Sequence, residues 1–203
     1  MDQDPVDSIL SFWFGELSGP TDYPTDRKKL WWLGGAEEDA KIRDRFGGFV
    51  KRACAGQLGD WTHDARGTLA LVLTLDQFTR SMYRGSAEAG SGDKRAQELT
   101  LEAVRRGLDQ ALRPIERSFL YMPFMHAEAP DLAEHSHRLY GALSTVIQET
   151  CPDGHPNSLS HAETHAEIVQ RFGRYPHRNA VLGRKSTAEE EAYLSADAPR
   201  FGQ

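Results

Sequence analysis

The sequence predicts an all-α protein built from antiparallel helical hairpins, with about seven main helices and a short C-terminal one. Apolar residues recur at three- and four-residue spacing in segment after segment, and none shows the valine, isoleucine and threonine alternation of a strand. Most connections are short, which favours sequential helices packed against each other. No clear repeating motif of the kind that marks a regular solenoid is present. At 203 residues the chain can bury a large core and still form one unit, so residues 1–203 read as a single domain.

The first helix opens after Asp4-Pro5, a favoured start, and carries Val6, Ile9, Leu10, Trp13 and Phe14, with Gly15 as its stop. Residues 15–34 read as irregular, with turn signals at Gly19-Pro20 and Tyr23-Pro24 and an apolar pair, Trp31-Trp32, that docks on the core. A second helix covers about Ala36–Ala55, with Ile42, Phe46, Phe49, Val50 and Ala53 in one stripe and Gly47-Gly48 placed to loosen it. A third covers about Asp64–Arg84, with Gly85 as its C-cap, and a fourth about Asp93–Arg106, ended by Gly107. Pro114 opens a fifth, which Pro123 kinks or ends. The sixth, about Asp131–Glu149, buries Leu132, Leu139, Leu143 and Val146. Pro152, Gly154 and Pro156 break the chain before a seventh, about Asn157–Phe172. Ser186-x-x-Glu189 predicts a capping box that opens a short last helix.

A net charge of −6 argues against a general nucleic-acid binder, which presents a basic face. The acidic start, MDQDPVDS, lacks the pattern of a secretory signal, and the longest apolar run, residues 69–75, is too short to span a bilayer. Cys54 and Cys151 are too few for a disulfide framework and read as buried, reduced thiols. Together these predict a cytoplasmic protein with no membrane or nucleic-acid partner. Oligomeric state is left open.

Several polar residues stand out. In the third helix Leu71, Leu75, Phe78 and Met82 form the core stripe, while Asp76, Arg80, Tyr83 and Arg84 share another face. Asp76 and Arg80 have ion-pair spacing with the acid first. Such a pair is either a weak surface contact or, continuing a buried stretch, the wall of a cleft. His126 and Glu128 lie just past Pro123, as a site or as a solvated helix end. His161 and His165 have the spacing of a metal-binding helix, but Glu163 does not complete HExxH and no third ligand is evident. The better reading is a satisfied core histidine, and no metal or cofactor is predicted. His135 and His137 read as surface. The stretch Arg171–Arg184, RFGRYPHRNAVLGR, packs four arginines into an ordered loop. Tyr175 before Pro176 must be extended, and Arg174, His177, Arg178 and Asn179 then converge. Guanidinium forks bind carboxylate or phosphate, or hold the loop against Asp76, Glu128 or helix carbonyls.

The segments Ile9–Gly15, Leu75-Asp76-Gln77-Phe78-Thr79-Arg80, Tyr83-Arg84-Gly85, Phe119–Phe124, His126-Ala127-Glu128 and RFGRYPHRN with its following LGR resemble a bacterial group, domain-of-unknown-function family 924. The resemblance covers almost the whole chain. It implies a tetratricopeptide-like, right-handed helical array and no particular activity. Thr79 stands where the family usually has proline, which predicts a straighter third helix. Met125 and Ala127 stand where glutamate and serine are usual, which makes that wall less polar.

Three functions compete. A binding module would use Arg80, Tyr83, Arg84, Arg171, Arg174, Arg178 and Asn179 to hold a small anionic molecule or an acidic peptide end. An enzyme would add His177 or His126 as general acid or base, oriented by Asp76 or Glu128. A structural network would use the same groups only to lock the loop.

Overall fold

The computed structural model describes residues 4–151, 158–196 and 201. Among them there is no strand. The α-helices are α1 (Pro5–Phe14), α2 (Ala36–Cys54), α3 (Ala65–Leu73), α4 (Thr79–Met82), α5 (Asp93–Arg105), α6 (Pro114–Met125), α7 (Pro130–Thr150), α8 (Leu159–Phe172) and α9 (Ala188–Ser195). None is long and apolar enough to cross a membrane. The start expected near Asn157 and the breakers at Pro152, Gly154 and Pro156 lie outside the described residues.

One core holds α1, α2, α3, α5, α6 and α7 together, and its centre is aromatic. Trp13 meets Phe78 and Phe119 at ring separations of 5.6 and 5.5 Å, and Phe46 stacks on Phe78 at 5.2 Å. The stretch 15–34, expected to be irregular, winds a short π turn over Lys29–Leu33. That turn drives Trp31 inward, where its indole N–H donates to the Trp13 carbonyl at 2.9 Å. Trp32 does not follow and is 51% exposed. Gly47-Gly48 does not interrupt α2, since Gly47 is buried close against Met82. Pro123 sits inside α6, which runs on to Met125. The capping box of α9 falls one residue later than expected, on Thr187 and Glu190. Neither cysteine is a buried thiol: Cys54 is exposed and Cys151 half-buried.

The third predicted helix is not a regular one. Residues Thr74–Phe78 wind as a π turn between α3 and α4, where Thr79 had suggested straightness. Side chains serve the carbonyls there: Thr79 Oγ1 donates to Leu75 O at 2.7 Å and Arg80 Nη1 to Asp76 O at 2.6 Å. Gly92 crosses over this turn so closely that a Cβ on it would lie 2.1 Å from Leu75 O. The approach sets Asp93, the first residue of α5, against Arg80.

Gly92→Ala must therefore displace backbone and is expected to cost about 1–3 kcal/mol, as overpacking does. Gly48→Ala, in open space on the exposed face of α2, should instead gain up to about 1 kcal/mol. Thermal unfolding of the two variants checks the contrast. Equal effects would show that the close approach over Leu75 does not constrain the fold.

Candidate functional site

Asp76 is only 1% exposed, at the π turn between α3 and α4. A carboxylate in that position must find partners, and three converge on it. Its Oδ1 lies 2.8 Å from His126 Nδ1 and 3.1 Å from Arg80 Nη1, and its Oδ2 accepts from Gln77 Nε2 at 2.6 Å. Burial opposes its ionisation, but the Arg80 guanidinium and His126 outweigh that and hold its pKa below the usual carboxylate range. Arg80 is held again by Asp93, through Nη1 to Oδ1 at 2.8 Å and Nη2 to Oδ2 at 3.1 Å.

His126 caps α6 just past the proline-containing turn. Burial, then the Arg80 charge, lower its pKa against the pull of Asp76, so the imidazole is neutral near pH 7. The Asp76 carboxylate only accepts, so the proton of the neutral ring sits on Nδ1 and Nε2 carries a lone pair. His165 is fixed in the same tautomer. Tyr175 Oη donates its single proton to Met125 O, so it accepts from His165 Nδ1 at 2.9 Å. His165 is thus the satisfied core histidine expected, while His161 is exposed. No group of three His, Cys, Asp or Glu among the described residues is placed to hold a metal ion.

Of these residues Gln77, Arg80, His126, His161 and His165 line a cavity of about 310 Å³. One wall is polar: Arg80, Arg84, His126, His165, His177 and Arg178. The opposite character comes from Leu30, Trp31, Trp32, Leu33 and Met122, with Leu33 80% exposed at the rim. No acidic residue is among the described residues lining it. A second cavity of about 340 Å³ shares Arg80, His126 and Arg178 and adds Lys94, Gln97 and Glu128.

The arginine loop is mostly neutralised by acids of the same chain. Arg171 Nε meets Glu189 at 2.9 Å, and Arg174 grips Glu190 at 2.6 and 2.8 Å. Arg184 forks onto both oxygens of Glu128, which also accepts from Tyr175 N at 2.8 Å. Asn179 is buried and donates to Ser186 and Glu190. Arg171, Arg174, Asn179 and Tyr83 are not among the residues lining the first cavity. Glu128 clamps the loop rather than orienting His126 or His177. Arg84 reaches the cavity while paired through Nε and Nη2 to Asp39 at 2.8 and 2.9 Å. His177 reaches it too, with its pKa pushed down to about 4, first by burial and then by Arg178.

Arg178 differs from the rest. Its Nη1 donates to His126 O at 3.0 Å, and its nearest carboxylate oxygen among the described residues, Asp93 Oδ2, is 3.9 Å away. Its Nε is buried without a partner, as are those of Arg80 and Arg184, so the difference lies in its carboxylate contacts. Partner carboxylates raise the pKa values of Arg80, Arg84 and Arg174, whereas burial and the neighbouring Arg80 lower that of Arg178. Three contributors escaped the sequence reading. Asp93 looked like an ordinary helix start, Gln77 carried no signal, and the tryptophan pair was assigned wholly to the core.

The fold and site define an all-helical protein with a mixed cationic and apolar cavity. Residues 9–198 match the model of a family described as bacterial protein of unknown function, DUF924, and the chain belongs to that family. A solved structure, a protein of unknown function, ATU0120, from Agrobacterium tumefaciens, is similar with a TM-score of 0.78 and 35% identity, covering 93% of this chain and 96% of that one. No functionally curated protein matches the chain.

His165 makes stability sensitive to mild acid. Burial pushes its pKa down to about 2, far below that of the unfolded chain, about 6.5. Below pH 6.5 the unfolded state therefore binds the proton that the folded state refuses. Its stability contribution is complete above about pH 6.5 and falls by roughly 1.4 kcal/mol per pH unit beneath it. Denaturant unfolding between pH 7 and 5 should show this slope on top of those of His126 and His177, whose pKa values are also lowered, and His165→Asn should reduce the total by its own share. An unchanged slope in the variant would assign the acid sensitivity to other groups.

Proposed function

We propose that the protein binds a small anionic molecule in the cavity walled by Arg80, His126, His177 and Arg178. The observation that carries this reading is Arg178, a mostly buried cation at the cavity whose nearest carboxylate oxygen among the described residues, Asp93 Oδ2, is 3.9 Å away, within ion-pair range but beyond a hydrogen bond. Holding a mostly buried charge with its counter-charge out of hydrogen-bonding contact is costly, and an anion of the right size in direct contact lowers the cost. A carboxylate or phosphate oxygen suits the planar fork. The volume favours a small molecule over an acidic peptide end, since ligand cavities run from roughly 300 to 1,000 Å³. A tetratricopeptide-like array suits the reading, because stacked helix pairs leave concave surfaces. The unpaired thiols of Cys54 and Cys151 suit a reducing compartment such as the cytoplasm.

A second reading, catalysis, is favoured by the 2.8 Å contact of His126 with Asp76. The carboxylate orients a neutral imidazole whose Nε2 lone pair is available to a bound molecule, which is the arrangement of a general base. Arg80 and Arg178 would then hold the anionic part of a substrate while His126 takes a proton from it.

Thermal unfolding with inorganic phosphate and with benzoate tests the binding reading. At tenfold above Kd a ligand stabilises by about 1.4 kcal/mol, or roughly 3–6 °C for a chain of this size. Arg178→Met removes the charge but keeps the side-chain bulk. It should abolish the ligand-induced rise and leave the Tm without ligand within a few degrees of the parent. If the variant loses most of its stability and no anion raises the parent's Tm, the polar cluster is a structural lock instead.

A further inference from the structure

Two properties of the cavity restrict what kind of anion it takes. The first is hydrogen-bond polarity. Asp76 fixes His126 with its proton on Nδ1, and among the described residues Nε2 makes no bond within the chain. Tyr175 fixes His165 the same way. The wall beside Arg178 thus presents the His126 acceptor, which an anion alone cannot satisfy because it too only accepts. A ligand that carries a hydroxyl next to its charged group satisfies both: oxygen charge to the guanidinium, hydroxyl proton to the imidazole. Arg178 and His126 are already adjacent, since the guanidinium donates to the His126 carbonyl at 3.0 Å.

The second property is that no acid is among the described residues lining this cavity, beside three arginines and four histidines. An ammonium donor would find no counter-charge there and would meet like charges. The donor is therefore a neutral hydroxyl. The rest of the cavity is apolar and aromatic, and its rim carries the exposed Trp32 and Leu33. Trp32 lies nearly parallel to Phe119, 18° between planes at 5.9 Å. Exposed apolar groups at a cavity mouth call for an apolar ligand body.

Resting on the anion-binding reading, we infer that the ligand class is a hydroxy monocarboxylate with an apolar body. The carboxylate lies at Arg178, the hydroxyl donates to His126 Nε2, and the body lies along Trp31, Trp32 and Leu33. Arg178 is the one cation of this wall without a directly hydrogen-bonded carboxylate among the described residues, which favours a singly charged carboxylate over a dianionic phosphate.

Titration calorimetry of the full chain with 3-phenyllactate, 3-phenylpropanoate and phenylalanine tests this. The hydroxy acid should bind about three- to tenfold tighter than the acid lacking the hydroxyl. Phenylalanine, with an ammonium in the same place, should bind more weakly than either. His126→Asn keeps an amide donor for Asp76 but lacks the Nε2 acceptor, so in it the two acids should bind alike. The ranking in the parent chain decides the matter even if that variant fails to fold. Equal binding of the two acids in the parent, or tightest binding of phenylalanine, overturns the inference. If both acids bind equally and both are lost in Arg178→Met, anion binding stands without the hydroxyl preference. If neither acid nor inorganic phosphate binds, both readings fall.

Discussion

A carboxylate that is 1% exposed imposes conditions on everything near it, and Asp76 is such a group. Burying it ionised is tolerable only with close, well-aligned partners. Arg80 supplies the charge, His126 and Gln77 the hydrogen bonds. Each partner then brings its own demands. Arg80 needs a second acid, and Asp93 reaches it because Gly92 lets the chain pass directly over Leu75. His126 must keep its proton on Nδ1, which leaves Nε2 as an acceptor. The π turn at Thr74–Phe78 carries Asp76 itself, and Thr79 and Arg80 serve the carbonyls around it.

The arginine loop follows a different logic. Its cations are mostly spent on holding it in place: Arg171 on Glu189, Arg174 on Glu190, Arg184 on Glu128. These pairs tie the loop to α9 and to the segment after α6, and so deliver Arg178 to the cavity beside Arg80 and His126. A stretch that looks like one positive patch thus divides into three clamps and one cation facing a cavity. The functional reading depends on that division, because a guanidinium forked onto a carboxylate offers little to a ligand and one without a hydrogen-bonded carboxylate offers more.

Much of the helical layout was legible because amphipathic spacing, proline at helix starts and glycine at helix ends are local signals. α1, α2, α5 and α6 appear within a residue or two of where those signals put them. The Asp76–Arg80 pair was legible too, as a four-residue spacing following a stretch apolar on all sides. The π turns were not, because winding by one extra residue leaves no compositional mark. Nor was the fate of Glu128, which faces Arg184 across 56 positions of chain rather than the histidine two residues away.

What the sequence by itself determined is what short-range chemistry determines: helix class, most helix limits, the apolar stripes, and the identity of a small set of polar residues misplaced on their helices. Only the tertiary structure decided which charges cancel. Charge pairing depends on distances between segments far apart in the chain. Asp39 to Arg84, Asp93 to Arg80 and Glu190 to Arg174 are pairs that no local pattern announces. The candidate site is what remains after that cancellation: a mostly buried arginine, a histidine held by Asp76 with its other nitrogen unbonded, and an apolar wall raised by a turn of chain that looked irregular.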